Sequence, residues 1–358
     1  MGNRTKVVVG MSGGVDSSVA AALLVEQGYS VIGVMLRLWS EPGREGSNRC
    51  CTPDSMAQAR RVAAGLRIPF YALDAKELFH DNVVNAFTQG YARGITPNPC
   101  LVCNKNIRWG FLLERAMKMG ADYFATGHYA RLNRLDGGHV QLLEGADKSK
   151  DQSYVLSVLD QEQLAHTILP LGDYKKIEVR QLASDLDLPV ANRADSQDLC
   201  FLGGNNYSTF LRSNIPDVAR PGQIIDQKGA ILGRHEGLAF YTIGQRKGLG
   251  IASKEPLYVL EKKMRENKLV VGFKSELGAN GLVAKNVNWI EKKDLTQVFR
   301  AQVKIRYKAP KVWGTVYPNP DYFSMTLDIP QRDITPGQNA VLYQDDLCLG
   351  CGLIDEVT

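Results

Sequence analysis

The stretch whose reading decides the fold is Lys6-Val-Val-Val-Gly10-Met11-Ser12-Gly13-Gly14-Val15-Asp16-Ser17-Ser18. The apolar run at residues 7–9 reads as a buried parallel strand. It breaks into a Gly/Ser turn and then into an apolar helix over residues 17–27. Strand, glycine turn and helix N-terminus together present free backbone N–H groups and the positive end of a helix dipole, an arrangement that binds phosphate. The glycines let the backbone approach a ligand and adopt positive φ. Ser12, Ser17 and Ser18 add hydroxyl donors.

A Walker A loop would carry a lysine directly after its glycines, reaching the outer phosphates. None follows here, and Asp16 stands where it could hold Mg2+ against a polyphosphate. Such a cradle suits pyrophosphate as a leaving group, with attack at the α-phosphorus. The plainer alternative is a glycine-rich βα turn with no ligand. Ser-Gly-Gly-x-Asp-Ser is much more restrictive than a lone GxGxxG, and it resembles the loop of the N-type ATP pyrophosphatases (PP-loop enzymes), a resemblance that implies adenylation of a substrate.

Outward from this stretch the pattern alternates. Residues 31–36, 69–73 and 123–126 read as further buried strands. Helices are expected from a cap at Asp54 to residue 66, over 76–91 and over 107–119. This predicts a doubly wound parallel α/β sheet with a ligand crevice at the strand carboxyl ends, where Gly10, Met35, Gly127 and His128 fall. A hairpin is expected over 131–144 around Asp136-Gly137-Gly138, and a helix over 175–186. Beyond about residue 207 helices give way to short β runs punctuated by Gly and Pro, and from 281 the pattern is all β. The expected division is residues 1–205, an α/β nucleotide-binding unit; 206–277, a β-rich unit; and 278–358, a small β-barrel.

At 358 residues, 44% of them hydrophobic, the chain can build several ordinary cores. No apolar run approaches the ~20 residues of a membrane span. The first strand begins almost at once, so no signal peptide and a cytoplasmic location are expected. Residues 254–311 hold fourteen Lys/Arg against six Asp/Glu within a chain of net charge +5. That uneven basic segment suggests a polyanion partner, although solvated faces carry lysines too.

Seven cysteines in a reducing compartment do not suggest a disulfide framework. Cys100-Leu-Val-Cys103 lies in a proline-stiffened loop expected just before a helix, where the dipole and Lys105 favour thiolate. Cys200 lies in a second polar loop. Four readings stay open. Cys348-Leu-Gly-Cys351 could complete a zinc site with the first pair, though the pairs are far apart. The thiols could simply be buried, which suits Cys348, Cys351, Cys50 and Cys51. One cysteine could carry a persulfide while another assists. Cys100, Cys103 and Cys200 could be three ligands of a [4Fe–4S] cluster.

Ser12-Gly-Gly-Val-Asp-Ser17, Thr96-Pro-Asn-Pro, Cys103-Asn-Lys105, Thr126-Gly-His-Tyr129, Lys150-Asp-Gln-Ser153, Ser196-Gln-Asp-Leu-Cys200-Phe and Tyr241-Thr-Ile-Gly-Gln-Arg together resemble the tRNA-specific 2-thiouridylases. The resemblance implies an adenine nucleotide alpha-hydrolase-like fold, ATP-dependent sulfur insertion at C2 of the wobble uridine of tRNA, and an upstream sulfur donor protein. It places ATP on Gly10, Met11, Ser12, Gly13, Gly14, Val15, Asp16, Ser17, Met35 and Gly127. The target base falls to Asn98, Pro99 and Cys100, attack to Cys103 and the persulfide to Cys200. Contacts to tRNA fall to His128, Lys150, Asp151, Gln152, Arg306, Tyr307 and Gln338. Many members carry aspartate where Cys100 stands, which weakens an acid–base role at that position. The rival enzyme is an amidating synthetase with the same loop and no thiol chemistry; a rival without catalysis is an RNA-binding module with a vestigial nucleotide fold.

Overall fold

The computed structural model describes residues 4–41, 52–194, 199–202, 207–291 and 296–358; Cys50, Cys51 and residues 196–198 lie outside the described residues. The first part of the chain runs β1 (Lys6–Gly10), α1 (Val15–Glu26), β2 (Ser30–Arg37), α2 (Pro53–Gly65), β3 (Phe70–Asp74), α3 (Lys76–Phe79), α4 (Asn85–Ala92), α5 (Pro99–Val102), α6 (Leu113–Lys118) and β4 (Tyr123–Ala125). It continues through β5 (Ala130–Arg134), β6 (Val140–Glu144), α7 (Ser153–Leu156), α8 (Gln161–Ala165), β7 (Thr167–Ile168) and α9 (Lys176–Asp185). Five of these strands form a parallel sheet in the order β3-β2-β1-β4-β7. The order reverses between β1 and β4, and a crevice opens beyond the carboxyl ends of strands at such a reversal. β1 is covered on both faces: Val7, Val8 and Val9 are all fully buried, which is why the strand reads as an unbroken apolar run.

The doubly wound sheet predicted from the alternating pattern is present, with four local differences. The helix at α2 is capped by Thr52, whose side chain accepts from the Ser55 N–H, and not by Asp54. The helix expected from residue 107 starts eight residues earlier, at Pro99, because Asn98 caps it through the Cys100 N–H and proline suits the first helical position. Cys100 and Cys103 therefore sit on a helix, not in a loop before one. Two helices expected to be regular each contain a wide π-helical stretch, His80–Val84 and Cys103–Leu112. The two-residue β7 was too short to leave a sequence signal.

The second part comprises α10 (Tyr207–Asn214), β8 (Gly222–Ile225), β9 (Ile231–His235), β10 (Tyr258–Lys263) and β11 (Lys268–Gly272), the strands forming a four-stranded sheet. The last part is β12 (Ala279–Trp289), β13 (Phe299–Lys304), β14 (Val312–Pro318), β15 (Tyr322–Gln331), β16 (Asn339–Gln344) and β17 (Leu347–Val357). Pairing of β12 with β17 closes these six strands into a barrel, as the spacing of β runs predicts. The expected hairpin β5–β6 forms, but it leaves the parallel sheet and adds to the barrel through β6 and β17. Buried charge fixes that junction. Glu144, only 4% exposed, is met by Lys148 and Lys311 at 3.0 Å each and by Lys304 at 3.3 Å. One apolar cluster runs through it, joining Trp109 and Phe124 of the α/β part to Leu142, Val341 and Tyr343.

Candidate active site

The glycine turn makes a bare helix start. Gly14 caps α1 without any side-chain hydrogen bond, so the first N–H groups of a twelve-residue helix are left for a ligand. The turn is held from within: the Ser12 N–H donates to Ser17 Oγ at 3.1 Å and Ser18 Oγ donates to the Gly14 carbonyl at 2.8 Å. Ser18 is fully buried and serves the loop itself, not a ligand. Gly13 has φ of 72°, and a Cβ there would lie 2.2 Å from the Ser55 carbonyl oxygen, so α2 packs directly on the turn. Arg193 braces the same contact, donating to the Gly13 carbonyl at 3.0 Å and to Ser55 Oγ at 2.9 Å.

The crevice over this turn has a volume of about 450 Å³ and is walled by Gly10, Ser12, Gly14, Asp16, Ser17 and Gly127. The lysine missing from the loop arrives from 160 residues away. Lys176, at the start of α9, sets Nζ 2.6 Å from Asp16 Oδ1, and the Tyr129 hydroxyl donates to the same oxygen at 2.7 Å. Sequence reasoning missed Lys176, Arg108, Arg193 and Lys308, all on the crevice wall. No local motif marks them, because each is brought in by packing of a separate segment. Met35 is placed differently from expectation: its side chain is buried in the core with Val19 and Val31 and does not line the crevice.

His128, Lys150, Gln152 and Tyr307 also line this crevice. His128 is buried with Nδ1 2.7 Å from Thr126 Oγ1, and burial, then the charge of Arg108, pushes its pKa down, so the imidazole is neutral. Gln152 accepts from the Tyr129 N–H at 2.9 Å. Asp151 is not on the surface expected of a direct tRNA contact. It is 4% exposed, and its carboxylate accepts from the N–H groups of Gly145 and Ser153, from Ser153 Oγ and from Lys304. It positions the loop that carries its two neighbours. Gln338 donates to the Thr96 carbonyl at 2.7 Å while the Thr96 N–H donates to the Pro336 carbonyl, so the barrel grips the loop leading to Asn98 and Cys100. Arg306 reaches Asp333 at 2.9 Å with half of its side chain in solvent.

A second, smaller cavity of about 50 Å³ adjoins the crevice, lined by Cys103, Ile107, Leu36, Leu38 and Met11 together with Gly10, Ser12 and Arg108. Gly10, Ser12 and Arg108 belong to both spaces. Cys103 and Cys200, each partly buried, pack against the same aromatic cluster of Phe79, Phe87 and Phe201, while Cys100 is exposed. Cys348 and Cys351 are buried in β17, where burial pushes both thiols up, the plain structural reading of that pair. Among the described residues no three His, Cys, Asp or Glu side chains are grouped to hold a metal ion, so Cys100, Cys103 and Cys200 do not present a preformed cluster site. No helix among the described residues is long and apolar enough to cross a membrane.

A parallel sheet with a phosphate crevice at its switch point, whose glycine loop itself carries no lysine, and a cysteine on the adjoining wall, defines a protein of the PP-loop ATP pyrophosphatase class. Residues 5–204 match the tRNA methyl transferase HUP domain, 208–273 the tRNA methyl transferase PRC-barrel domain and 279–354 the aminomethyltransferase beta-barrel domain. The tRNA-specific 2-thiouridylase of Moorella thermoacetica is 47% identical over 354 residues, covering 98% of this chain and 99% of the relative. That of Natranaerobius thermophilus is 46% identical over 366 residues, covering 100% and 99%. The chain belongs to the tRNA-specific 2-thiouridylase family. Among solved structures, an NMN synthetase from Francisella tularensis overlaps 55% of this chain and 67% of its own at 22% identity and a TM-score of 0.36.

Proposed function

We propose that this protein uses ATP to replace O2 of the wobble uridine of tRNA with sulfur. The observation that carries the reading is the sharing of one wall, Gly10, Ser12 and Arg108, between a phosphate crevice and a cavity lined by Cys103. Uracil C2 is a urea-like carbonyl with no good leaving group, so its oxygen must first be activated. O2 attacks the α-phosphorus, the N3 proton is lost to solvent, and the bond to pyrophosphate breaks with its electrons leaving on pyrophosphate. The turn's N–H groups and Lys176 hold that product. Mg2+ accompanying the nucleotide would be met by Asp16.

Sulfur then arrives on Cys200 as a persulfide from a donor protein. Its terminal sulfur bonds to C2, and the C2–O bond breaks with its electron pair leaving on AMP. The Cys103 thiolate attacks Cys200 Sγ, the S–S bond breaks toward C2, and the thiocarbonyl forms as N3 regains a proton. The Cys103–Cys200 disulfide left behind needs a dithiol reductant before another turn. Holding base, α-phosphate and sulfur in one place supplies the proximity this sequence needs.

A wobble base must leave the anticodon stack to enter such a crevice. Tyr307 and Lys308, projecting from the barrel into the wall, and Asn98 and Cys100 at the start of α5 are the groups assigned to receive it. In this reading residues 1–205 carry the chemistry, while 206–277 and 278–358 position the RNA by its phosphates in the cytoplasm. The test combines tRNA, ATP and a persulfide-generating donor, with 2-thiouridine, AMP and pyrophosphate measured together. Equal amounts of all three are expected. The pair Cys103→Ser with Cys200→Ser should still bind ATP and tRNA yet form no thiouridine. Thiouridine without AMP would sink the reading, and activity surviving both substitutions would favour an amidating synthetase.

A further inference from the structure

We propose that Arg108 is a further catalytic residue of this reaction, the cation that neutralises charge on the α-phosphate both when pyrophosphate leaves and when AMP leaves. This deepens the thiolation reading above and rests on it. Cys103 and Arg108 are five residues apart. In a regular α-helix, at 3.6 residues per turn, a five-residue step turns by about 500°, leaving the two side chains about 140° apart on the cylinder. One would face the cavity and the other would face away. The π-helical stretch Cys103–Leu112 changes this. Its i→i+5 hydrogen bonds bring the fifth residue nearly above the first, and Cys103, Ile107, Arg108 and Leu112 all line the same small cavity. The width is visible at Gly110, where a Cβ would lie 3.1 Å from the carbonyl oxygen of Lys105, five residues back.

The stretch is anchored so that this register holds. Trp109 is buried and donates Nε1–H to Thr167 Oγ1 at 2.7 Å, and Asn104 donates to the Val155 carbonyl at 2.8 Å. Between those anchors Arg108 is half-buried and lines both spaces. Its charge is felt on the crevice side, at the neutral His128. Gly10 and Ser12, the other residues common to both spaces, carry no charge. The α-phosphate must lie where nucleotide and sulfur meet, since its oxygen bridges to the uracil C2 that sulfur attacks. Two bonds break there in succession: P–O to pyrophosphate, then C2–O to AMP. Each puts negative charge on an oxygen of the same phosphate group or its partner. A guanidinium fork holds two phosphate oxygens at once in a fixed planar geometry, whereas a lysine acts as a point charge. Lys176, Lys150, Arg193 and Lys308 line the crevice alone, whereas Arg108 is the one of these cations that also lines the Cys103 cavity, which puts it at the α end.

The test uses the full-length protein as Arg108→Gln and Arg108→Lys, with tRNA, ATP and the same sulfur donor. Rapid-quench measurement follows pyrophosphate, AMP and thiouridine, and separate titrations give ATP and tRNA affinities. Arg108→Gln should slow both pyrophosphate and AMP release by about 10²–10³-fold with ATP and tRNA affinities within threefold of wild type. Arg108→Lys should recover about a tenth or more of the lost rate, since charge returns without the fork, and it serves as the folded control should the glutamine variant prove unstable. Unchanged release rates in Arg108→Gln, or a loss confined to ATP affinity with full rate at saturation, would overturn the proposal. If wild type itself released no AMP on adding tRNA, the thiolation reading would fail instead.

Discussion

Replacing Gly127 with alanine should damage ATP use through a steric effect that can be worked from the structure. Gly127 follows β4 and passes across the start of α1. A Cβ there would lie 2.7 Å from the Asp16 carbonyl carbon, 2.8 Å from the Ser17 nitrogen and 2.9 Å from the Asp16 carbonyl oxygen. All three are backbone atoms, so no side chain can swing aside. Its φ is not in the left-handed region, so alanine incurs no torsional penalty and the clash acts alone. Restoring ordinary contact at 3.4 Å needs the strand end and helix start to part by about 0.7 Å. Overpacking of this kind costs about 1–3 kcal/mol of stability, roughly 2–4 °C of Tm per kcal/mol in a unit of this size. A displacement approaching 1 Å in the groups that hold a reactant costs up to about 10²-fold in rate. Thiolation by Gly127→Ala should therefore fall about 10–100-fold, with ATP affinity reduced about tenfold, or 1.4 kcal/mol. Calorimetric titration with ATP, run well below the variant's Tm, reads the second figure directly. Gly65→Ala is the control: nothing lies within 4 Å of its Cβ, and alanine near a helix end should be neutral or slightly stabilising. Wild-type ATP affinity and stability in Gly127→Ala would refute the argument that this close approach builds the cradle.

Two further outcomes are expected. Arg306→Ala should weaken tRNA binding across sequences and reduce the slope of log K against log salt by about one; an unchanged slope would remove Arg306 from the RNA face. At Glu144 burial raises the pKa, but hydrogen bonds from Lys311 and Lys148 and the charge of Lys304 outweigh it, so the folded value lies below the ordinary 4.5. A depressed carboxylate stabilises fully above its unfolded pKa and loses that contribution as pH falls through the folded one. Protection of β5 and β6 against hydrogen exchange should therefore decline below about pH 4.5 in wild type. Glu144→Gln should be destabilised by about 3–5 kcal/mol at neutral pH and should lack that acid step. An acid step identical in both proteins would show that another group controls the junction.

Much of the fold could be read along the chain because its signals are local. Three valines and a glycine-serine turn specify a doubly buried strand feeding a bare helix start, since backbone donors and φ preferences depend on immediate neighbours. The closed barrel was legible from the spacing of β runs, and the sequence motifs singled out Cys103 and Cys200 as the candidate thiols. The register of the helix that carries Cys103 was not legible. Whether a turn closes through i→i+4 or i→i+5 depends on what pins its two sides, here Thr167 and Val155. That choice sets Arg108 beside Cys103. The crevice's lysine was equally invisible, because Lys176 reaches Asp16 only after α9 packs on α1. Asp151 looked like a surface residue beside Lys150 and Gln152, and only the folded structure shows it buried against Gly145, Ser153 and the barrel's Lys304. Sequence alone determined which backbone turn leaves a helix start bare and which thiols lie in the motifs beside it. Tertiary packing decided which charges stand beside them, because a Coulomb interaction depends on distance in space, and distance along the chain says nothing of that.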